Sequence, residues 1–156
     1  MKIKAYKAVL NEKGQPYMKE AGTEYKVDGR KTFSNPEGIA DFAAFEIGLN
    51  EAAEEYVYIL CLDTKCKITG LFQASHGSVN CSFFPIREIF QKSLLLGAVS
   101  IVIIHNHPTG IATPSQSDID STKRAREAGE ILGVSVVDHI IIGHGRTYYS
   151  FAEYGI

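Results

Sequence analysis

The most apolar stretch of this chain, Val99-Ser-Ile-Val-Ile-Ile104, runs directly into His105-Asn106-His107-Pro108. A run of β-branched residues without polar alternation suits a strand covered on both faces, because each side must meet a hydrophobic layer. The end of that strand is then where polar chemistry can begin. Residues i and i+2 of an extended chain project to the same side, spaced about 6.6–6.8 Å along the backbone. His105 and His107 can therefore converge on one metal ion if the strand end bends, and Pro108 and Gly110 supply the bend. Downstream, Ser115-Gln-Ser117-Asp118 opens an amphipathic segment and returns a carboxylate towards the same strand end. Two histidines, one carboxylate and an open fourth position describe a catalytic zinc site rather than a closed structural one.

The surrounding pattern predicts an α/β domain. Residues 1–35 carry scattered apolar residues and Gly14, Gly22 and Gly29 as turn signals, which fits an N-terminal extension built as a strand pair or an arm. A helix follows from Ser34-Asn35-Pro36-Glu37, with a cap and a proline at its start. Tyr56 to Leu62 and Ile68 to Ala74 read as two antiparallel strands around Asp63-Thr64-Lys65, and Val79 to Phe84 as a third. Pro85 opens a helix whose apolar positions Ile86, Ile89, Phe90, Leu94 and Leu95 are expected on one face up to Gly97. A further helix is expected from about Ser115 to Leu132, stopped by Gly133, and two last strands from Val134 to Ile142 and Thr147 to Phe151.

Composition narrows the function classes. At 156 residues the chain has the size of one domain, able to bury roughly 68–70% of its unfolded surface. Sixteen basic against eighteen acidic residues give a net charge of −2, so no global field favours nucleic acid or anionic membrane. Cys61, Cys66 and Cys81 form no C-x-x-C pair, which argues against a disulfide framework or a cysteine-based zinc site and makes them packing residues in a reducing compartment. With no signal-like h-region and no apolar run of membrane-spanning length, the expected location is the cytoplasm, away from membranes.

A zinc ion lowers the pKa of bound water to about 7. A base must still move the proton, and Glu55, at the start of the strand Tyr56 to Leu62, could reach it. Glu54 competes, because a one-residue slip exchanges the faces of a strand. Ser115 could donate to a developing oxyanion. Ser-x-x-Asp is also a helix capping box, and Ser117-x-x-Asp120 repeats its spacing, so Asp120 stands as the reserve ligand. His76, His139 and His144 are read as surface or hydrogen-bonded residues, with Asp138-His139 as a pair that could support the site from behind a ligand. Arg87 and Glu88 are expected to pair on a helix surface.

The order Glu55, His105-Asn-His107-Pro, Ser115-x-x-Asp118 resembles the JAMM signature of JAB/MPN metalloproteases. More closely, Pro85-Ile-Arg87-Glu88-Ile89-Phe90, His105-Asn-His-Pro-Thr-Gly110, Thr113-Pro-Ser-Gln-Ser-Asp118, Asp138-His-Ile-Ile-Ile-Gly143 and Tyr149-Ser-Phe-Ala-Glu153 are similar to the C-terminal domain of RadC-like proteins. The likeness spans residues 36–156 and implies the JAB/MPN fold, a curved mixed β-sheet flanked by helices and related to cytidine deaminases. It also implies one Zn2+ held by His105, His107 and Asp118, Glu55 as acid/base, Ser115 as oxyanion donor, and a protein or peptide substrate cut at an amide or isopeptide bond. Deaminases need H-x-E and P-C-x-x-C, and neither occurs here. The alternative is a RadC-like accessory protein in DNA repair or mobile-element functions, which predicts salt-dependent DNA affinity through Lys123, Arg124 and Arg126. RadC proteins usually begin with a helix-hairpin-helix segment, and residues 1–35 read as too short and strand-like for one. Thr109 stands where the family commonly has serine, which keeps the hydroxyl.

Overall fold

A computed structural model describes residues 1–27, 33, 35–77 and 84–155. Among the described residues twelve elements follow one another: β1 (Lys2–Leu10), β2 (Pro16–Lys26), α1 (Pro36–Asp41), a π-helical turn (Phe42–Glu46), a 3-10 turn (Leu49–Glu51), β3 (Glu55–Leu62), β4 (Ile68–Gly77), α2 (Ile86–Leu95), β5 (Ser100–Asn106), α3 (Gln116–Leu132), β6 (Ser135–Ile142) and β7 (Tyr148–Ser150). The strands form one seven-stranded mixed sheet in the order β2-β1-β4-β3-β5-β6-β7. Neighbours run antiparallel except β1 with β4 and β5 with β6.

As its composition requires, β5 lies inside the sheet, and every one of its residues is buried. Its side chains alternate between two layers. Val102 and Ile104 join Leu60, Leu71, Ile140 and Ile142 beneath α1 and the π-helical turn. Ile101 and Ile103 join Val57, Ile59, Phe72, Ile89, Phe90 and Ala125 beneath α2 and α3. Truncating a side chain as deep as Phe90 to alanine costs about 3–5 kcal/mol, since transfer and cavity terms add.

The N-terminal strands are a hairpin that belongs to the same sheet. Ala5 pairs with Leu71 of β4, and Ile3 is sealed into the layer under α1. On α2 the buried face is Ile89, Phe90 and Ser93, whereas Leu94 and Leu95 are about half exposed. The expectation that both leucines share the buried stripe is corrected: positions i+4 and i+7 from Ile86 are Phe90 and Ser93, and Leu94 and Leu95 turn past them. Ser93 tolerates that place by donating its hydroxyl to the Ile89 carbonyl at 2.8 Å. Val99 is exposed and precedes the strand instead of starting it. Cys61 packs in the core, but Cys66 is exposed at φ 55° in the β3–β4 turn, so only the former is a packing residue; Cys81 lies outside the described residues. Apart from Phe84, so does the strand expected over 79–84. Among the described residues no helix is long and apolar enough to cross a membrane.

Candidate metal centre

Three elements deliver four side chains to one point. His105 is the last inward residue of β5 on the α2/α3 face, and it pairs with Val57 across β3. Two residues back along β3 on the same face stands Glu55, buried at the strand's start. Pro108 and Gly110 turn the chain after His107, and Gly110 adopts φ 79°, which favours glycine. The return brings α3 in with its N-terminus towards the strand end. Ser115 caps that helix: its hydroxyl accepts from the Asp118 amide, while the Asp118 carboxylate accepts from the Ser115 amide at 2.7 Å and from its hydroxyl at 2.6 Å. The capping box and the site are thus one structure, and the helix dipole favours the carboxylate there.

Glu55, His105, His107 and Asp118 each offer a ligand atom, all within 4.8 Å of one another. Nε2 of His105 lies 3.0 Å from Nε2 of His107 and 3.4 Å from Oδ1 of Asp118; Nε2 of His107 lies 3.3 Å from Oδ2 of Asp118. Glu55 Oε1 is 3.8 Å from His105 Nε2. His107 Nδ1 points at the Ile111 carbonyl, 2.8 Å away, which can only accept, so a neutral His107 turns a bare Nε2 inward. Burial pulls His105 down to about 3 and keeps it neutral. For His107 burial also pulls down, but the Asp118 hydrogen bond, the Ile111 carbonyl and the charges of Asp118 and Glu55 outweigh it and raise its pKa. Asp118 shows the converse: burial pushes up, and His107, His105 and both Ser115 donors together hold it below the usual carboxylate range. Such a crowd of acceptors, buried and mutually facing, could hold a cation. Two tetrahedral zinc ligands at about 2.0–2.1 Å stand about 3.3–3.4 Å apart, so the separations among the two histidines and Asp118 fit one ion within a few tenths of an ångström, while Glu55 stands further off.

A model of the RadC-like JAB domain matches residues 33–156. This chain belongs to the RadC-like JAB domain family. It is 42% identical over 131 residues to a UPF0758 protein of Pelobacter propionicus, covering 84% of this chain and 56% of that protein. A UPF0758 protein of Geotalea uraniireducens is 40% identical over the same shares, and one of Clostridium beijerinckii is 40% identical over 117 residues, 74% of this chain and 51% of that protein. The chain spans about half the length of these curated relatives. The family read from the sequence motifs is therefore the family found, and the mixed sheet with helices on both faces agrees with its JAB fold.

In this RadC-like domain the open alternatives resolve by facing. Glu54 points away from the cluster and is exposed, paired with His76, whose ring stacks on Tyr56. Asp120 is also exposed and accepts from the side-chain Nε2 of Gln116. Arg87 and Glu88 pair on the surface of α2 at 3.3 Å, and His144 is exposed, its backbone amide donating to Gly110. The Asp138-His139 pair is corrected in part. The His139 ring does reach the site, with Nε2 2.7 Å from His105 Nδ1. The Asp138 carboxylate, by contrast, accepts from the His139 and Ala152 amides and the Ser150 hydroxyl, and so ties down the chain around β7 instead of the ring. Two contributors were missed. Thr122 contacts His139, and Asn106 clamps the start of β3: its carboxamide accepts from the Tyr56 amide and donates to the Glu54 carbonyl, both at 2.9 Å. Lying between the two histidines in a buried strand, a polar Asn106 was a signal that it had partners to satisfy.

Proposed function

We propose that this chain is a zinc-dependent hydrolase of the JAMM type that cleaves an amide or isopeptide bond in a protein or peptide, in the cytoplasm. The observation that carries the reading is the near-tetrahedral spacing of His105, His107 and Asp118 with Glu55 standing just beyond it. Mixed imidazole and carboxylate ligation suits zinc among the divalent metals. Bound between these three residues, zinc would polarise the scissile carbonyl and bring the pKa of water to about 7, supplying a nucleophile at neutral pH. Glu55 takes the proton from the attacking water. As the carbon–nitrogen bond breaks, it hands that proton to the leaving amine, so that acid and amine products balance. With Asp118 engaged as a ligand, its carboxylate depends less on the Ser115 proton, and that hydroxyl can turn to donate to the substrate oxygen as charge builds there.

The test begins with metal content by mass spectrometry on protein purified without chelator or metal-affinity resin, wild type beside Asp118→Ala. Near-stoichiometric zinc that falls sharply in the variant is expected. A screen of peptide and isopeptide substrates follows, in which Glu55→Gln keeps its zinc and loses about 10²–10⁴ in turnover. Absence of metal from both proteins, with zinc failing to bind on titration, would refute the proposal; so would full activity in Glu55→Gln.

A further inference from the structure

Behind His105 lies a line of polar groups that hydrolysis itself does not use. His105 Nδ1 is 2.7 Å from His139 Nε2; His139 Nδ1 is 2.6 Å from Thr122 Oγ1; and Thr122 Oγ1 is 2.6 Å from the backbone carbonyl of Asp118. His105, His139 and Thr122 are all buried, so water is excluded from the line. Its hydrogens can be assigned one at a time. A carbonyl oxygen only accepts, and two oxygens this close repel unless a hydrogen lies between them, so the single hydroxyl proton of Thr122 points at Asp118. Thr122 must then accept from His139, which places the His139 proton on Nδ1. The ring is fully buried, stacked on Phe151 with the edge of Phe84 against it, a setting in which a charged ring costs far more than a neutral one, so it carries a single proton. Its Nε2 is bare and accepts from His105 Nδ1–H. His105, also neutral, is left with a bare Nε2 facing His107 and Asp118.

We infer that Thr122 and His139 are positioning residues that lock His105 into the tautomer offering Nε2 to a metal ion, an inference that rests on the metal site proposed above. The line closes on itself, because Asp118 presents its carboxylate to His105 and its carbonyl to Thr122. The first turn of α3 thereby sets both a ligand and the protonation of its neighbour. Packing fixes the His139 ring plane, stacked on Phe151 at 4.7 Å with the edge of Phe84 at 5.2 Å, so the hydroxyl chooses between tautomers and not between rotamers. Without the hydroxyl, His139 escapes an unsatisfied Nδ1–H by moving its proton to Nε2. His105 must then carry its own proton on Nε2, where a metal would bind.

The test compares wild type, Thr122→Val and Thr122→Ser, first metal-free by long-range 1H–15N correlation of the histidine rings and then by zinc affinity against a chromophoric chelator. Wild type and Thr122→Ser are expected to show a bare Nε2 at His105 and matching affinities. Thr122→Val is expected to shift the His105 proton to Nε2 and to weaken zinc binding by about 10- to 100-fold. Wild-type tautomer and affinity in Thr122→Val would overturn the inference, and so would equal losses in Thr122→Val and Thr122→Ser. Should Thr122→Val not fold, Thr122→Ala takes its place, with the same tautomer shift and loss of affinity expected and wild-type behaviour again overturning the inference. If wild type binds no zinc, the proposed function fails, while the metal-free ring spectra still decide the line of hydrogen bonds.

Discussion

Replacing Asn106 by alanine separates the two halves of the site. The C-terminal end of β5 is held on one side by β6, where His105 and Asn106 pair with Ile141 and Ile142 and the His107 amide donates to the Ile142 carbonyl at 2.9 Å. On the other side the β3–β5 ladder stops at Val57 and His105, and beyond it the carboxamide of Asn106 takes the place of a strand partner for Glu54 and Tyr56. The variant loses two hydrogen bonds worth about 0.5–1.5 kcal/mol each and leaves an amide and a carbonyl in search of partners. Glu54 is exposed, so water relieves part of that cost, and a net loss of about 2–3 kcal/mol is expected. For a chain of this size each kcal/mol moves Tm by roughly 2–4 °C, a drop of about 4–12 °C. Urea titrations should show a lower midpoint with an unchanged slope, since the surface exposed on unfolding stays the same. On the function proposed above, zinc content should persist, because β6 still holds the histidines, while turnover falls as Glu55 loses its aim. A stability change below about 0.5 kcal/mol would mean that β4 alone holds this strand end, and the clamp argument would be wrong.

Three further outcomes follow from the same geometry. In metal-free protein His105 and His139 are neutral when folded but protonate near 6.5 when unfolded, so their folded pKa values lie below the unfolded ones; their contribution should be full above about pH 6.5 and stability should fall by up to about 3 kcal/mol per unit between pH 6 and 5, and a flat urea midpoint over that range would contradict their burial as neutral rings. His107, raised, has the opposite sign: its contribution is fully present below about pH 6.5 and is lost as pH rises through its folded pKa, so it adds no slope between pH 6 and 5. A methyl group on Gly143 would lie 2.5 Å from the Gly110 carbonyl, so Gly143→Ala should cost about 1–3 kcal/mol and loosen the turn whose Ile111 carbonyl orients His107, seen as weaker zinc binding alongside a lower urea midpoint; wild-type values for both would show that the turn gives way freely. Burial pushes the Cys61 thiol up to about 12, so alkylation mapped by peptide mass should modify the exposed Cys66 at once and Cys61 only on unfolding.

How much of this was legible in the sequence depends on the range of the interaction. Strand and helix identities follow from periodicities of two and 3.6 residues, which short segments carry on their own, and so the β5 run, the Ser115 cap and the Gly133 stop were readable directly. His105 and His107 were readable for the same reason, being neighbours on one strand end. The choice of Glu55 over Glu54 and of Asp118 over Asp120 could not come from local pattern, since each pair offers the same chemistry one or two residues apart. The register of Val57 on His105 decides the first, and the direction in which the capped helix meets the strand end decides the second. Asn106, Thr122 and His139 depended wholly on tertiary structure. A polar side chain in a buried strand or helix announces that it needs a partner, but the partner is named only when two sheet faces must be filled at once, and that packing condition sets the β3–β5 and β5–β6 registers across stretches of chain that share no local pattern.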